Sequence, residues 1–256
     1  MKRIGIIGVG IIGAAVARGL LAGHGDAVEL LLSPRGRERA QELADEFSNV
    51  RVLESNQAVL DACDQVILAV LRPVAEEVID ALRFRPDQLV ISLVGGMKVN
   101  EVRTLAGVED VVRLVPLPFI AQLVGPLAVY PANVEVEAVF GALGEYLPVA
   151  DERDFDSIVV ISALMSPYYL VLTEVIRWGI DQGLRPELAA RYTTSLFAAL
   201  LSRGRGESTE ELLELWREMT PGGLNELAVD SLRADGAVSA WSTAMSKVLD
   251  RIRPRD

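Results

Sequence analysis

Near its start the chain reads Arg3-Ile4-Gly5-Ile6-Ile7-Gly8-Val9-Gly10-Ile11-Ile12-Gly13, an apolar run that ends in a complete G-x-G-x-x-G. Glycines at that spacing mean little alone. Placed after a strand-like run and ahead of a helix-period stretch at residues 11–21, they constrain the fold strongly. Each has its own task in such a turn. Gly8 permits the tight bend, Gly10 lets the backbone approach a pyrophosphate, and Gly13 lets helix and strand pack closely. The helix opening at Ile11 and Ile12 then offers unpaired N–H groups to the phosphates. The segment predicts a Rossmann-type βαβ unit that binds a nicotinamide dinucleotide. Met1-Lys2-Arg3 and the apolar residues behind it also imitate a secretory signal. Gly5, Gly8, Gly10 and Gly13 make that run a poor continuous helix.

The second strand, residues 28–32, bears on the choice of dinucleotide. NAD sites usually end this strand in Asp or Glu, which holds the ribose 2′-OH. Here it continues as Ser33-Pro34-Arg35-Gly36-Arg37, and Glu29 lies too far back to serve. Ser33, Arg35 and Arg37 suit a 2′-phosphate, for which arginine is a forked donor. NADP(H) is therefore the expected cofactor. The same residues also fit a solvated basic turn at the start of a helix.

Further apolar runs at 65–70, 88–94 and 111–115 alternate with helix-period segments at 35–47 and 74–82. Residues 127–130 and 146–149 extend the series, with a helix from about Val134 between them. This pattern predicts an α/β, doubly wound parallel sheet with helices on both faces. Strand signals stop near residue 150. Segments at 152–180 (interrupted at Ser166-Pro167), 186–202, 208–219, 222–232 and 237–252 read as helices. A dinucleotide-binding domain over 1–150 and an all-helical dimerisation and substrate domain over 151–256 follow. The helical half is too apolar to stand alone, as Leu196-Phe197-Ala198-Ala199-Leu200-Leu201 shows, so a homodimer or higher homo-oligomer is expected.

A net charge of −11 over 256 residues repels nucleic acid and anionic lipid, which excludes both as ready partners. Cys63 is the only cysteine, so no intrachain disulfide forms. With no obvious membrane span, the expectation is a reduced, cytoplasmic protein that holds no metal. His24, the only histidine, falls in a Gly-rich turn and is expected to be solvated. This argues against a His–Asp catalytic pair. Of Lys2, Lys98 and Lys247, none lies in the helix after Asp156, where β-hydroxyacid dehydrogenases carry a catalytic lysine.

Thr220-Pro221-Gly222-Gly223 has its own physical reading. Threonine caps helices well, and proline suits the first helical position. Two glycines then leave the next N–H groups unshielded, a seat for a substrate carboxylate. An ordinary helix start explains the same residues.

Taken in order, several segments resemble the pyrroline-5-carboxylate reductase family. They are residues 4–17, Ser33-Pro34-Arg35, Val66-Ile67-Leu68-Ala69-Val70, Ile91-Ser92-Leu93-Val94-Gly95-Gly96-Met97 and Val111-Val112-Arg113-Leu114-Val115-Pro116. Asp156, Ser166-Pro167-Tyr168-Tyr169, Gln182-Gly183-Leu184 and Thr220-Pro221-Gly222-Gly223 follow. The resemblance implies NAD(P)H-dependent reduction of a cyclic imine, pyrroline-5-carboxylate, to proline, on a dinucleotide domain and a helical domain that dimerises. It implies cofactor contacts at Ala69, Val70, Val94 and Gly95. It implies substrate contacts at Pro116, Thr220, Gly222, Gly223, Leu224 and Asn225, with Asn225 and Thr220 as the catalytic positions.

The substrate half departs most from the family pattern. Leu117-Pro118-Phe119 replaces Asn-Thr-Pro, and Ser162-Ala163-Leu164-Met165-Ser166-Pro167 replaces Ser-Gly-Ser-Gly-Pro. Leu224 and Asn225 replace two threonines. A reductase of a 2-oxo or other carbonyl acid and a non-catalytic dinucleotide-binding homologue therefore stand as alternatives.

Overall fold

A short run of isoleucines is buried on both faces when its strand lies inside a covered sheet. In the computed structural model, which describes residues 1–253, β1 (Lys2–Ile7) lies between two parallel neighbours, with Ile4, Ile6 and Ile7 shut off from solvent. The chain continues as α1 (Ile11–His24), β2 (Val28–Leu32), α2 (Arg37–Glu46), β3 (Val50–Val52), α3 (Asn56–Ala62) and β4 (Gln65–Leu68). Then come α4 (Arg72–Asp80), β5 (Leu89–Ser92), α5 (Val99–Ala106), β6 (Val111–Val115), β7 (Pro126–Tyr130), α6 (Val134–Phe140) and β8 (Glu145–Pro148). The strand order is β3-β2-β1-β4-β5-β6-β7-β8. Adjacent cores cover its two faces. Val16, Leu20 and Phe140 belong to one, and Val59, Ile79 and Val102 to the other.

The sheet is mixed, not parallel throughout: β7 runs antiparallel to β6. Residues 116–125 between them hold only a short 3-10 turn, Pro118–Gln122. A parallel return needs a crossover of a dozen or more residues, so the chain doubles back. Two short helices, α3 and α5, were not foreseen, because each is too short to show a clear period. Ser55 caps α3 by accepting the Ala58 N–H at 3.0 Å. Gly5 explains how close α3 comes: a Cβ there would lie 2.6 Å from Cys63 Sγ.

The chain divides into two compact units, Met1–Val159 together with Ile252 and Arg253, and Val160–Arg251. The division falls within α7 (Glu152–Ser162). The second unit contains α8 (Met165–Asp181), α9 (Pro186–Arg203), α10 (Thr209–Glu214) and α11 (Leu224–Ala234), and most of α12 (Ala237–Ile252). Here α8 packs on α9, with Tyr168 edge-on to Phe197 at 5.8 Å. The helical break expected at Ser166-Pro167 instead lies at Ala163-Leu164, whose N–H groups bond back to Val160 and Ile161. Pro167 sits in the first turn of α8, where a missing N–H breaks no helical bond. Residues Glu152–Asp181 are long and apolar enough to cross a membrane by length and composition. Leu170, Trp178, Leu200 and Leu201 are all exposed in this unit.

Candidate active site

The glycine turn is set by close approaches that exclude side chains. Gly8 has φ +97°, and a Cβ there would lie 2.7 Å from the Ala69 carbonyl oxygen. At Gly13 a Cβ would lie 2.3 Å from the Gly8 carbonyl oxygen. Gly10 is different: nothing lies within 4 Å of where its Cβ would be. It caps α1 without a side chain, leaving the Ile11 and Ile12 end open, and Ile11 is 67% exposed. Beneath the turn, Ser33 is wholly buried and its hydroxyl accepts the Gly8 N–H at 3.0 Å.

A cleft of about 220 Å³ runs beside the turn, lined by Gly8, Gly10, Arg35, Arg39, Ala69 and Val70 among others. No carboxylate lines it, and neither do Ser33 or Arg37. An open backbone at Gly10 beside two cationic side chains fits a dinucleotide pyrophosphate and its neighbouring groups.

A smaller cavity of about 120 Å³ lies at the carboxyl ends of β5 and β6. It brings together the expected residues Ile12, Val94, Gly95 and Pro116 with Arg113 and Phe155, two residues that received no role from the sequence. Arg113 is 2% exposed and bonds to Glu152 at 2.9 Å and to Asp156 at 3.1 Å. Its guanidinium lies 4.4 Å from the Phe155 ring centroid. Lys98 and Arg253 also donate to Asp156. Burial pushes the Asp156 carboxyl up, but hydrogen bonds from Lys98, Arg253 and Arg113 outweigh it and hold the group below its ordinary value. The visible clue was an arginine inside the apolar run 111–115.

The Thr220–Asn225 segment lies in the other unit. Its helix, α11, starts later than the Thr-Pro pattern implied: the N-cap is Gly223, not Thr220. Gly222, at φ +70°, turns the chain so that the Thr220 carbonyl accepts the Gly223 N–H at 2.9 Å. Glu226 already holds one amide of this turn, accepting the Gly222 N–H at 2.5 Å. Leu224 and Asn225, the first two residues of α11, are exposed. His24 is not a solvated loop residue. It ends α1, half-buried, with Nε2 2.6 Å from the Val139 carbonyl oxygen. Among the described residues, no cluster of His, Cys, Asp or Glu could hold a metal ion.

Residues 3–96 match the family model for NADP oxidoreductase, coenzyme F420-dependent. A pyrroline-5-carboxylate reductase of Pseudomonas aeruginosa is 31% identical, over 97% of this chain and 95% of the relative. The enzyme of the same name from Corynebacterium melassecola is 26% identical over 98% and 97%. Among solved structures, 1-pyrroline-5-carboxylate reductase of Streptococcus pyogenes superposes with a TM-score of 0.84 at 24% identity, covering 99% of this chain and 98% of that one. Plasmodium falciparum pyrroline carboxylate reductase, with NADP bound, gives 0.85 at 20% identity over 98% and 97%. The two structures share the fold.

Proposed function

The chain belongs to the pyrroline-5-carboxylate reductase family, and on that premise we propose that it is an NADP(H)-dependent reductase of a cyclic imine carboxylate, pyrroline-5-carboxylate or a close analogue. The cleft at Gly10, open to a dinucleotide and lined by arginine with no carboxylate, supports the NADP(H) part of this reading, and the 31% identity to the Pseudomonas aeruginosa enzyme supports the imine substrate. Place in proline biosynthesis follows if the product is proline.

The dinucleotide, when bound, supplies the hydride. The chain supplies position and dryness. The glycine turn and the Ile11–Ile12 end of α1 would hold the pyrophosphate, in the cleft that Ala69 and Val70 also line. Ile12, Val94, Gly95 and Pro116 line a partly open, largely apolar cavity that would receive the reacting end. Thr220, Gly222 and Gly223 shape the turn, whose own bonds take the Gly222 and Gly223 N–H groups, and the Leu224 N–H at the start of α11 would meet the substrate carboxylate. Asn225 orients the imine nitrogen by an amide hydrogen bond. An amide does not titrate near neutrality, so the proton rides on the iminium itself or comes from water. A protonated imine is already a good electrophile, which agrees with a chain whose one histidine is spent on a structural bond.

The exposed apolar residues of the second unit support a homodimer. Glu174, Arg177 and Asp181 interrupt the apolar surface of α8, which suits a second copy better than lipid. NADPH oxidation measured with pyrroline-5-carboxylate, piperideine carboxylates and 2-oxo acids tests the activity. Turnover confined to the imines supports this reading. Turnover confined to 2-oxo acids moves the chain to carbonyl chemistry. NADPH binding without turnover on either panel makes it a non-catalytic homologue.

A further inference from the structure

The cavity at the carboxyl ends of β5 and β6 takes part of its wall from α7. Phe155 and Val159, about one helical turn apart, both line it. Positions two apart on a helix stand about 200° apart around its axis. Residues 153 and 157 therefore lie on the side of α7 away from that wall.

That other side is gripped by Arg253. This residue follows α12 and belongs to the same compact unit as the first two turns of α7. Its Nη2 donates to the Arg153 carbonyl and, at 3.4 Å, to the Ser157 hydroxyl. Its Nε donates to Asp156 Oδ2 at 3.2 Å. The Ser157 hydroxyl itself donates to the Arg153 carbonyl at 3.1 Å, so the guanidinium completes a small network across one turn of helix. From the sheet, Arg113 meets the same stretch. It bonds Asp156 Oδ1 at 3.1 Å and lies over the Phe155 ring at 4.4 Å. Two guanidinium groups thus hold the residues on either side of Phe155, and they share the Asp156 carboxylate.

We infer that Arg253 is a positioning residue for the reacting end of the dinucleotide: by holding residues 153, 156 and 157 it sets where Phe155 and Val159 stand in the cavity wall. The inference rests on the reading of that cavity given above. A planar fork suits the task, because it serves three acceptors at once, whereas an ammonium is a point charge. The glycine cleft lies on other elements, so dinucleotide affinity and turnover should separate when the grip is lost. A misplacement of about 1 Å at a reacting centre can cost as much as about a hundredfold in rate.

The test compares Arg253→Ala, Arg253→Lys and Ser157→Ala in the full chain. The readouts are NADPH titration, the emission of bound NADPH with its nicotinamide excited directly, and kcat and KM on pyrroline-5-carboxylate. Arg253→Ala is expected to lower kcat about tenfold, to shift the emission of bound NADPH, and to leave NADPH affinity within about twofold. Lysine keeps a charge beside Asp156 without the fork, so Arg253→Lys is expected to restore the melting temperature of the apoprotein but not kcat. Ser157→Ala keeps the Asp156 pair and is an exposed change that a helix accepts readily. It is expected to lower kcat about two- to threefold, the loss of one weak hydrogen bond, and it decides the matter if Arg253→Ala fails to fold. Unchanged kcat and emission in the alanine variants, or full recovery of both in Arg253→Lys, reduces Arg253 to a structural ion pair and overturns the inference. Wild-type protein that binds NADPH but turns over no imine overturns the imine reading alone, and the emission shift then decides the role of Arg253. Wild-type protein that binds no NADPH overturns both.

Discussion

Arg113 Nη1 lies 3.1 Å from Asp156 Oδ1, with the arginine 2% exposed and the aspartate wholly buried. Neither charge can be left alone in such a place. Glu152 shares the arginine, while Lys98 and Arg253 share the aspartate. Asp156→Ala leaves Arg113 with Glu152 as its only carboxylate partner. Removing one partner of a buried pair typically costs about 3–5 kcal/mol, and the surviving Glu152 contact places this loss at the lower end. Chemical denaturation at neutral pH measures it.

The same pair sets a pH dependence. The folded Asp156 carboxyl is held below its ordinary value, so the unfolded chain takes up its proton first as pH falls. Its stabilisation is complete above the unfolded value of about 4 and is lost as pH drops through the lower folded value. The stability gap between wild type and Asp156→Asn is therefore expected to stay constant from pH 7 to about 5 and to narrow below about 4. A gap that widens on acidification contradicts the assignment.

Two glycines of one motif are expected to respond oppositely to alanine. Gly10 has open space where a Cβ would go and an ordinary φ of −82°. Gly10→Ala should fold with an unchanged melting temperature and lose dinucleotide affinity, because the methyl stands where pyrophosphate approaches. Gly13→Ala drives a Cβ to 2.3 Å from the Gly8 carbonyl oxygen. It should lower the melting temperature itself, by forcing α1 off the turn. Thermal melts with and without NADPH separate the two.

At Asn225, loss of the amide is expected to show in turnover and not in cofactor binding. Asn225→Ala should lower kcat/KM by about ten- to a hundredfold, which corresponds to about 1.5–3 kcal/mol for one hydrogen bond to a charged group. NADPH affinity should hold, since the glycine cleft is in the other unit. Asn225→Thr should restore much of the activity on a pyrroline carboxylate. Unchanged turnover in Asn225→Ala would remove the Thr220 segment from the active site.

The second unit exposes Leu170, Trp178, Tyr192, Leu200 and Leu201, each more than half exposed. Surface of this kind is expected to be covered by a second copy. Light scattering at micromolar concentration should return twice the chain mass of 27.7 kDa. Glu substituted for both Leu200 and Leu201 should shift that mass toward the monomer, whereas a wild-type monomer would refute the dimer.

Much of the first unit was legible in the chain itself. The bounds of β2 and β6 were read as they stand, because each is a short apolar run stopped by Ser-Pro or by Pro. The glycine turn was legible because φ +97° at Gly8 and the clash at Gly13 are conditions that only glycine meets. The missing carboxylate after β2 was equally plain. These are local properties, decided by residues a few positions apart through backbone sterics and the period of apolar side chains.

Other features depended on which segments meet. Lys98, Arg113 and Arg253 reach Asp156 from 58, 43 and 97 residues away. The aim of Arg39, the burial of Ser33 and the reversal of β7 likewise come from packing between elements. So does the start of α11 at Leu224, where Gly222 turns the chain past the cap that Thr220 seemed to offer. Side-chain type tells what a residue can bind, but only the assembled sheet and its helices set the direction in which it points. A buried arginine is tolerated in β6 because the fold delivers Asp156 and Glu152 to it, and that delivery is a property of the tertiary structure alone.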